Sequence, residues 1–193
     1  DKSKAMNAVV IGPGLSTDPQ VERLVNGFVA KCPVPLVIDA DALNVLNLQV
    51  LRERKLSTVL TPHPGEFARL CGLTTEEVQK NRIQKAVEFS INTNAVVVLK
   101  GAGTVTACPD GKYYINTSGH HCLAVAGSGD VLSGIIGSLL GQRVPAAMAS
   151  CLGVFIHGKC GEVLAERSNG QAGYTAGEIC SAIPLVVGNL VQN

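Results

Sequence analysis

The sequence predicts an α/β fold: a mostly parallel central sheet with helices on both faces and an antiparallel hairpin joined to it. Three observations carry this. Four apolar, β-branched runs, AVVIGPG (8–14), PLVIDAD (35–41), STVLTPHPG (57–65) and AVVVLKGAG (95–103), end in turn residues and read as buried parallel strands. Segments with helical spacing lie between them, and that alternation is the mark of an α/β sheet. The stretch GTVTACPDGKYYINT (103–117) places PDG between two alternating segments, which signals a hairpin.

In chain order, the first strand arrives within ten residues of the start and runs into a Gly-rich turn. Helices are expected over 18–31, 41–54, 65–71 and 75–92, the last capped by Thr75 with Val78, Ile83, Val87 and Ile91 as its apolar positions. Past the hairpin come three more, over 130–141, 145–166 and 175–191. In the first of these Val131, Leu132, Ile135, Ile136, Leu139 and Leu140 recur at helical spacing, and the second carries Ala and Gly that let helices approach closely. The loop SNGQAG (168–173) is too short to divide domains, and there is no internal repeat or low-complexity tract, so residues 1–193 read as one domain.

Composition narrows the partners. Hydrophobic residues make up 46% of the 193, enough for a full core, while charged residues are 16% and the net charge is +1. No run of Lys or Arg exceeds a pair, so nothing draws the chain to nucleic acid or anionic lipid, and small molecules are the expected partners. The opening DKSKAMNAVVIGPG lacks the basic start, long apolar stretch and cleavage site of a signal peptide, and no later stretch has the ~18 uninterrupted apolar residues of a membrane span. Seven cysteines, odd in number and without CxxC pairs, fit reduced thiols in a cytoplasmic or organelle-matrix protein. His120, His121 and Cys122, or His157 with Cys160, suggest a metal site, but neither group has a second ligand pair at zinc spacing.

The chemistry-bearing motifs sit where the strands end. In AVAGSGDVLSG (124–134) the glycines precede a helix, whose first N–H groups and partial positive charge suit a phosphate. Gly127 and Gly129 permit close approach, and Asp130 is then a carboxylate beside the phosphoryl group; as a bland alternative it is an N-cap. No GxxxxGK[ST] occurs, and GPGLST (12–17) has Thr17 where a dinucleotide fingerprint needs its third glycine, so neither a P-loop nor a Rossmann site is expected. Gly12 and Gly14 mark either a ligand loop or a tight turn. TPHPGEF (61–67) presents His63 and Glu66, Lys100 is flanked by Gly101 and Gly103, and VIDADALN (37–44) offers Asp39 and Asp41. Each has a structural alternative: a rigid turn with Glu66 in the first helical turn, a solvated lysine, a helix start at Asp41. The polar or Gly-rich ends of four parallel strands fall together on one sheet edge, where such folds bind ligands.

Taken in order, GPGL (12–15), VIDADALN, TPHPGEF, LKGAGT (99–104) and GSGDVLSG (127–134), with HGKCGEVLAE (157–166) and YTAGEI (174–179), resemble the ADP/ATP-dependent NAD(P)H-hydrate dehydratases of the ribokinase-like superfamily. The resemblance implies a three-layer ribokinase-like fold and a repair reaction in which hydrated NADH or NADPH is dehydrated at the expense of ATP or ADP, with Mg. It makes Asp130 the base that activates the ring hydroxyl and a substrate contact, and gives Gly14 and His63 to the substrate. Nucleotide binding falls to Lys100, Gly101, Ala102, Gly103 and Thr104 and to the amides around Gly127, Ser128 and Gly129. Glu66 matches the acid that organises magnesium, through water, in a motif that here reads HPGE.

The pattern departs from the family's in a few places. Ser16 and Ala126 stand where glycine is usual, Ser128 replaces threonine, and SGHHCLAVAG (118–127) lacks an asparagine–proline–glycine run. Family members also carry a Gly- and Ala-rich segment ahead of the GPGL strand, so the chain is expected to be a fragment or a short relative. Two other readings stand beside the dehydratase: a ribokinase-like small-molecule kinase acting on a hydroxymethylpyrimidine, thiazole alcohol or sugar, and a nucleotide-binding remnant without turnover. ATP or ADP preference and homo-oligomer formation are left open.

Overall fold

The structure, a computed structural model, describes residues 6–167 and 173–192. The expected loop at 168–173 therefore lies almost wholly outside the described residues, as do the first five residues of the chain.

Six strands form one sheet in the order β1 (Val9–Ile11), β2 (Leu36–Ile38), β3 (Thr58–Leu60), β4 (Val96–Leu99), β5 (Val105–Ala107) and β6 (Tyr113–Ile115). The first four are parallel, with Val9 opposite Leu36, Leu36 opposite Thr58 and Val59 opposite Val96. The last two are antiparallel, with Val98 opposite Thr106 and Thr106 opposite Tyr114. The turn from Cys108 to Lys112 closes the hairpin, with Gly111 at φ +84°.

Alternation of side chains across the strands makes two cores from one sheet. Leu36, Ile38, Leu60, Val97 and Leu99 face α1 (Pro19–Lys31), α2 (Ala40–Asn44), α3 (Leu48–Glu53), α4 (Pro64–Cys71), α5 (Thr75–Lys80) and α6 (Arg82–Thr93). Val37, Val59, Val96 and Val98 face α7 (Ser128–Gly141) and α8 (Ala146–Arg167) through Leu132, Ile136, Leu140, Ala149 and Val154. The arrangement is the expected three layers. Helix α9 (Ala176–Val191) packs on α7 and α8 through Ile179, Ala182 and Val186, in a cluster that holds no strand residue. Among the described residues no helix is long and apolar enough to cross a membrane.

Two predicted helices are each broken into two. The segment 41–54 divides at Val45–Asn47 because side chains take over the backbone: Asn26 donates to the Val45 carbonyl (2.8 Å) and accepts from Asn47 N–H (2.7 Å), while Asn47 caps α3 through Gln49 N–H. The segment 75–92 divides at Asn81, which leaves helical geometry at φ −135°, ψ 40°. Its N-cap is Thr74 rather than Thr75; Thr74 accepts from Glu77 N–H, and Glu77 accepts from Thr74 N–H, a capping box. In the second half Ile83 and Val87 pack against the core as expected. Ala86 and Phe89 are buried there, and Ile91, expected on the apolar face, is 51% exposed.

Candidate functional site at the carboxyl edge of the parallel strands

Four strands running the same way deliver their carboxyl ends to one edge, and the following residues build the site. After β1 the chain turns at Gly12 (φ +136°) and Gly14 (φ +70°). Any Cβ at Gly12 would fall 1.7 Å from the Asp39 carbonyl oxygen, so the turn lies flat on the end of β2, whereas around Gly14 there is open space. The turn is tied to the next loop by Ser16 N–H, which donates to Asp41 (2.8 Å). Asp41 thus serves a loop contact as well as the first turn of α2.

After β3, His63 caps α4. Its Nδ1 accepts from Gly65 N–H (3.0 Å) and Glu66 N–H (3.2 Å), and Glu66 returns the contact by accepting from His63 N–H at 2.7 Å. The structural role expected of Glu66 is present. The same carboxylate also faces the site: it is 6% exposed, with His63 Nε2 at 3.4 Å on one side and Lys100 Nζ at 3.8 Å on the other.

Lys100, which follows β4, joins the loops. Its N–H donates to the Pro62 carbonyl (2.9 Å), and its ammonium pairs with Asp39 Oδ1 at 2.9 Å. It is not the solvated lysine of the bland alternative, because its side chain is only 21% exposed. Asp39 is 1% exposed, and its second oxygen has no hydrogen-bond partner among the described residues. A Cβ built on Gly129 would lie 3.3 Å from Lys100 Nζ and 3.9 Å from Asp39 Oδ2, so the ion pair sits directly under the first turn of α7.

Helix α7 opens at Gly127, whose left-handed φ of +80° serves as N-cap without a side-chain bond. The first-turn N–H groups therefore have no capping side chain, the condition for anion binding at a helix start. Because Gly127 is the cap, Asp130 is not. Asp130 lies in the first turn, is exposed, and makes no side-chain hydrogen bond or ion pair among the described residues. Beside it an apolar groove of ≈ 800 Å³ runs between α7 and α9, lined by Ile135, Leu139, Ile183 and Val187 among others.

Two site residues escape sequence reasoning in the role they take. His157 was a candidate metal ligand with Cys160; instead its Nε2 lies 3.0 Å from Ser128 Oγ, bracing the start of α7 from α8. Burial pushes its pKa down to about 4, the bond to Ser128 opposes this, and the Lys100 charge adds to it, so the imidazole is neutral near pH 7. Cys160 is a buried thiol whose pKa rises to about 11 through burial. The second is Arg82 at the start of α6, which donates to three carbonyls of the Leu99–Ala102 stretch. Nothing in its sequence context marks it, since the contacts run between an ordinary helix start and a loop 17 to 20 residues later.

As for metal, no group of three or more His, Cys, Asp or Glu side chains among the described residues is arranged to hold an ion. Glu66 already accepts a backbone hydrogen bond and has an ammonium beside it, so it suits contact with magnesium through water rather than direct ligation.

Comparison with known proteins accords with this geometry. A family model described as NAD(P)H-hydrate dehydratase matches residues 1–185. A bifunctional NAD(P)H-hydrate repair enzyme of Moorella thermoacetica is 45% identical over 189 residues, covering 97% of this chain and 36% of the relative. An ADP-dependent (S)-NAD(P)H-hydrate dehydratase of Neisseria meningitidis is 43% identical over 186 residues, 94% of this chain and 63% of the relative. The chain thus spans between about a third and two thirds of the length of these relatives. Among solved structures, an ADP/ATP-dependent NAD(P)H-hydrate dehydratase from Bacillus subtilis, co-crystallised with ATP and Mg²⁺, superposes with a TM-score of 0.84 at 34% identity, over 95% of this chain and 64% of that one. A ribokinase-like protein of Enterococcus faecalis superposes with a TM-score of 0.80 at 26% identity. With the family model matched across nearly its whole length and relatives above 40% identity, the chain belongs to the NAD(P)H-hydrate dehydratase family and has the ribokinase-like fold.

Proposed function

We propose that this chain carries the nucleotide-dependent dehydration of hydrated NADH or NADPH, a metabolite repair reaction. The observation that supports it most directly is the uncapped start of α7, where Asp130 stands exposed and unpaired beside amides with no capping side chain and over the Lys100–Asp39 ion pair. In this reading the segment Lys100–Thr104 and the amides around Gly127, Ser128 and Gly129 hold ATP or ADP, and Gly14 and His63 contact the hydrated nicotinamide nucleotide. Asp130 takes the proton of the ring hydroxyl as its oxygen attacks the terminal phosphoryl group, and the bridging P–O bond breaks to release ADP from ATP or AMP from ADP. The amides and Lys100 stabilise the charge that builds on the phosphoryl oxygens. Phosphate is a far better leaving group than hydroxide; the lone pair of the ring nitrogen expels it, the C–O bond breaks, and a ring proton is lost to restore NADH or NADPH. Magnesium, when bound, neutralises phosphate charge, and Glu66 would hold it through water.

The test supplies hydrated NADH with Mg²⁺ and either ATP or ADP and follows absorbance at the reduced nicotinamide band. Recovery of that band with release of one phosphate per NADH is the expected result. No recovery, together with a stable phosphorylated product from a thiazole or pyrimidine alcohol, would overturn the reading in favour of a small-molecule kinase. Thermal stabilisation by nucleotide without any product would leave a binding remnant.

A further inference from the structure

The loop that follows β4 is the least regular part of the site, yet it is held in one shape. Gly101 and Gly103 both take positive φ, +144° and +64°, in the turn that joins β4 to the antiparallel β5. Arg82 reaches this loop from the start of α6. Nη1 donates to the Ala102 carbonyl at 3.0 Å, and Nη2 donates to the carbonyls of Leu99 at 3.1 Å and Lys100 at 3.2 Å. The guanidinium lies so close under Gly101 that a Cβ there would be 2.9 Å from Nη2 and 3.0 Å from Nη1. Thr104 closes the other side by donating its hydroxyl to the Gly101 carbonyl at 2.9 Å.

A trans peptide points its C=O and the following N–H in opposite directions. Three carbonyls turned onto one guanidinium therefore turn the N–H groups of Lys100, Gly101 and Gly103 away from it. The first donates to Pro62. Those of Gly101 and Gly103 make no backbone hydrogen bond among the described residues and are left as two donors on the side of the loop opposite Arg82. Arg82 Nε is buried without a partner among the described residues, and an unpaired buried donor costs stability.

We propose that Arg82 is a positioning residue for nucleotide binding: by gathering the carbonyls of Leu99, Lys100 and Ala102, it presents the amides of Gly101 and Gly103 to acceptor atoms of the nucleotide. This rests on the reading above that the segment Lys100–Thr104 faces a nucleotide, but not on the dehydration chemistry. The flat, forked shape of the guanidinium matters, because one ammonium on a flexible stem cannot hold three carbonyls in fixed directions.

Calorimetric titration of the protein with Mg·ATP and Mg·ADP tests this, alongside dehydration kinetics. Arg82→Ala is expected to weaken nucleotide binding by about tenfold or more and to raise the nucleotide KM by a like factor, with kcat at saturation changed less than about threefold. Millimolar guanidinium is expected to restore affinity to Arg82→Ala, a rescue that a general loss of structure would not show. Should Arg82→Ala fail to fold, Arg82→Lys takes its place: weakened nucleotide binding by the folded variant supports the inference, and wild-type affinity overturns it. Wild-type affinity in a folded Arg82→Ala overturns it as well, as does a loss of affinity that guanidinium does not restore. If the unaltered protein binds neither nucleotide, the inference and the proposed function fall together. If it binds nucleotide but does not dehydrate hydrated NADH, the proposed function fails and the role of Arg82 stands on the binding results.

Discussion

Asp130 and His157 flank the start of α7 and differ in what surrounds them. Asp130 is exposed, with no partner to lose among the described residues, so replacing it should touch chemistry without touching the fold. Asp130→Asn is expected to retain nucleotide affinity while kcat falls by about 10²- to 10⁴-fold, measured by titration and by recovery of reduced nicotinamide. Equal turnover in the variant would remove Asp130 from its role. His157 is half-buried and bonded to Ser128, and the effect of pH on it follows from linkage. Its pKa is about 4 folded against about 6.5 unfolded, so between these values the unfolded chain binds more protons and stability rises with pH. The contribution is complete above pH ~6.5 and is lost as pH falls towards 4, by at most roughly 3 kcal/mol. Urea unfolding from pH 7.5 to 4.5 should show this slope in the wild type and a shallower one in His157→Gln. Identical slopes would mean that His157 titrates as in the unfolded chain.

The glycines of α7 and α8 show how one substitution takes opposite signs by position. In a helix interior, Gly→Ala gains about 0.5–1 kcal/mol when the new methyl meets nothing. Gly134 in α7 is such a place, with no atom within 4 Å of an added Cβ, so Gly134→Ala should raise the thermal midpoint by a few degrees. Gly158 in α8 is the reverse: a Cβ would lie 2.8 Å from the Ser118 carbonyl carbon and 2.9 Å from its oxygen, both backbone atoms. Overpacking against backbone costs about 1–3 kcal/mol, more than the propensity gain, so Gly158→Ala should lower the midpoint. Two midpoints moving the same way would contradict the packing described. The sequence marks both as glycines on a long helical pattern, and a helical repeat carries no information about what stands across from each position. The same limit explains the helix breaks. Apolar spacing shows that 41–54 and 75–92 are helical, but the interruption at Val45–Asn47 depends on Asn26, about twenty residues earlier in the chain and on another helix.

Across the whole molecule, the ends of β2, β3 and β4 are stitched by one ammonium: Lys100 pairs with Asp39 and stands beside Glu66, both nearly buried. Removing the cation leaves uncompensated carboxylates in the interior, which costs more than the pair itself contributes. Lys100→Met is therefore expected to destabilise the fold by about 3 kcal/mol in urea, and adding Asp39→Asn should recover a substantial part of the loss. Strictly additive losses would show that the pair is not coupled. The sequence by itself determined the α/β class, the four parallel strands, the hairpin and the convergence of Gly12, Asp39, His63 and Lys100 on one edge. These follow from local periodicity and from the rule that parallel strands end on the same side. Tertiary structure alone decided that Lys100 is held by Asp39, that His157 braces Ser128 and that Arg82 grips the loop after β4. Each of these pairings joins residues from 17 to 61 positions apart, and which side chains meet across such distances is set by the packing of helices on the sheet, not by any repeat in the chain.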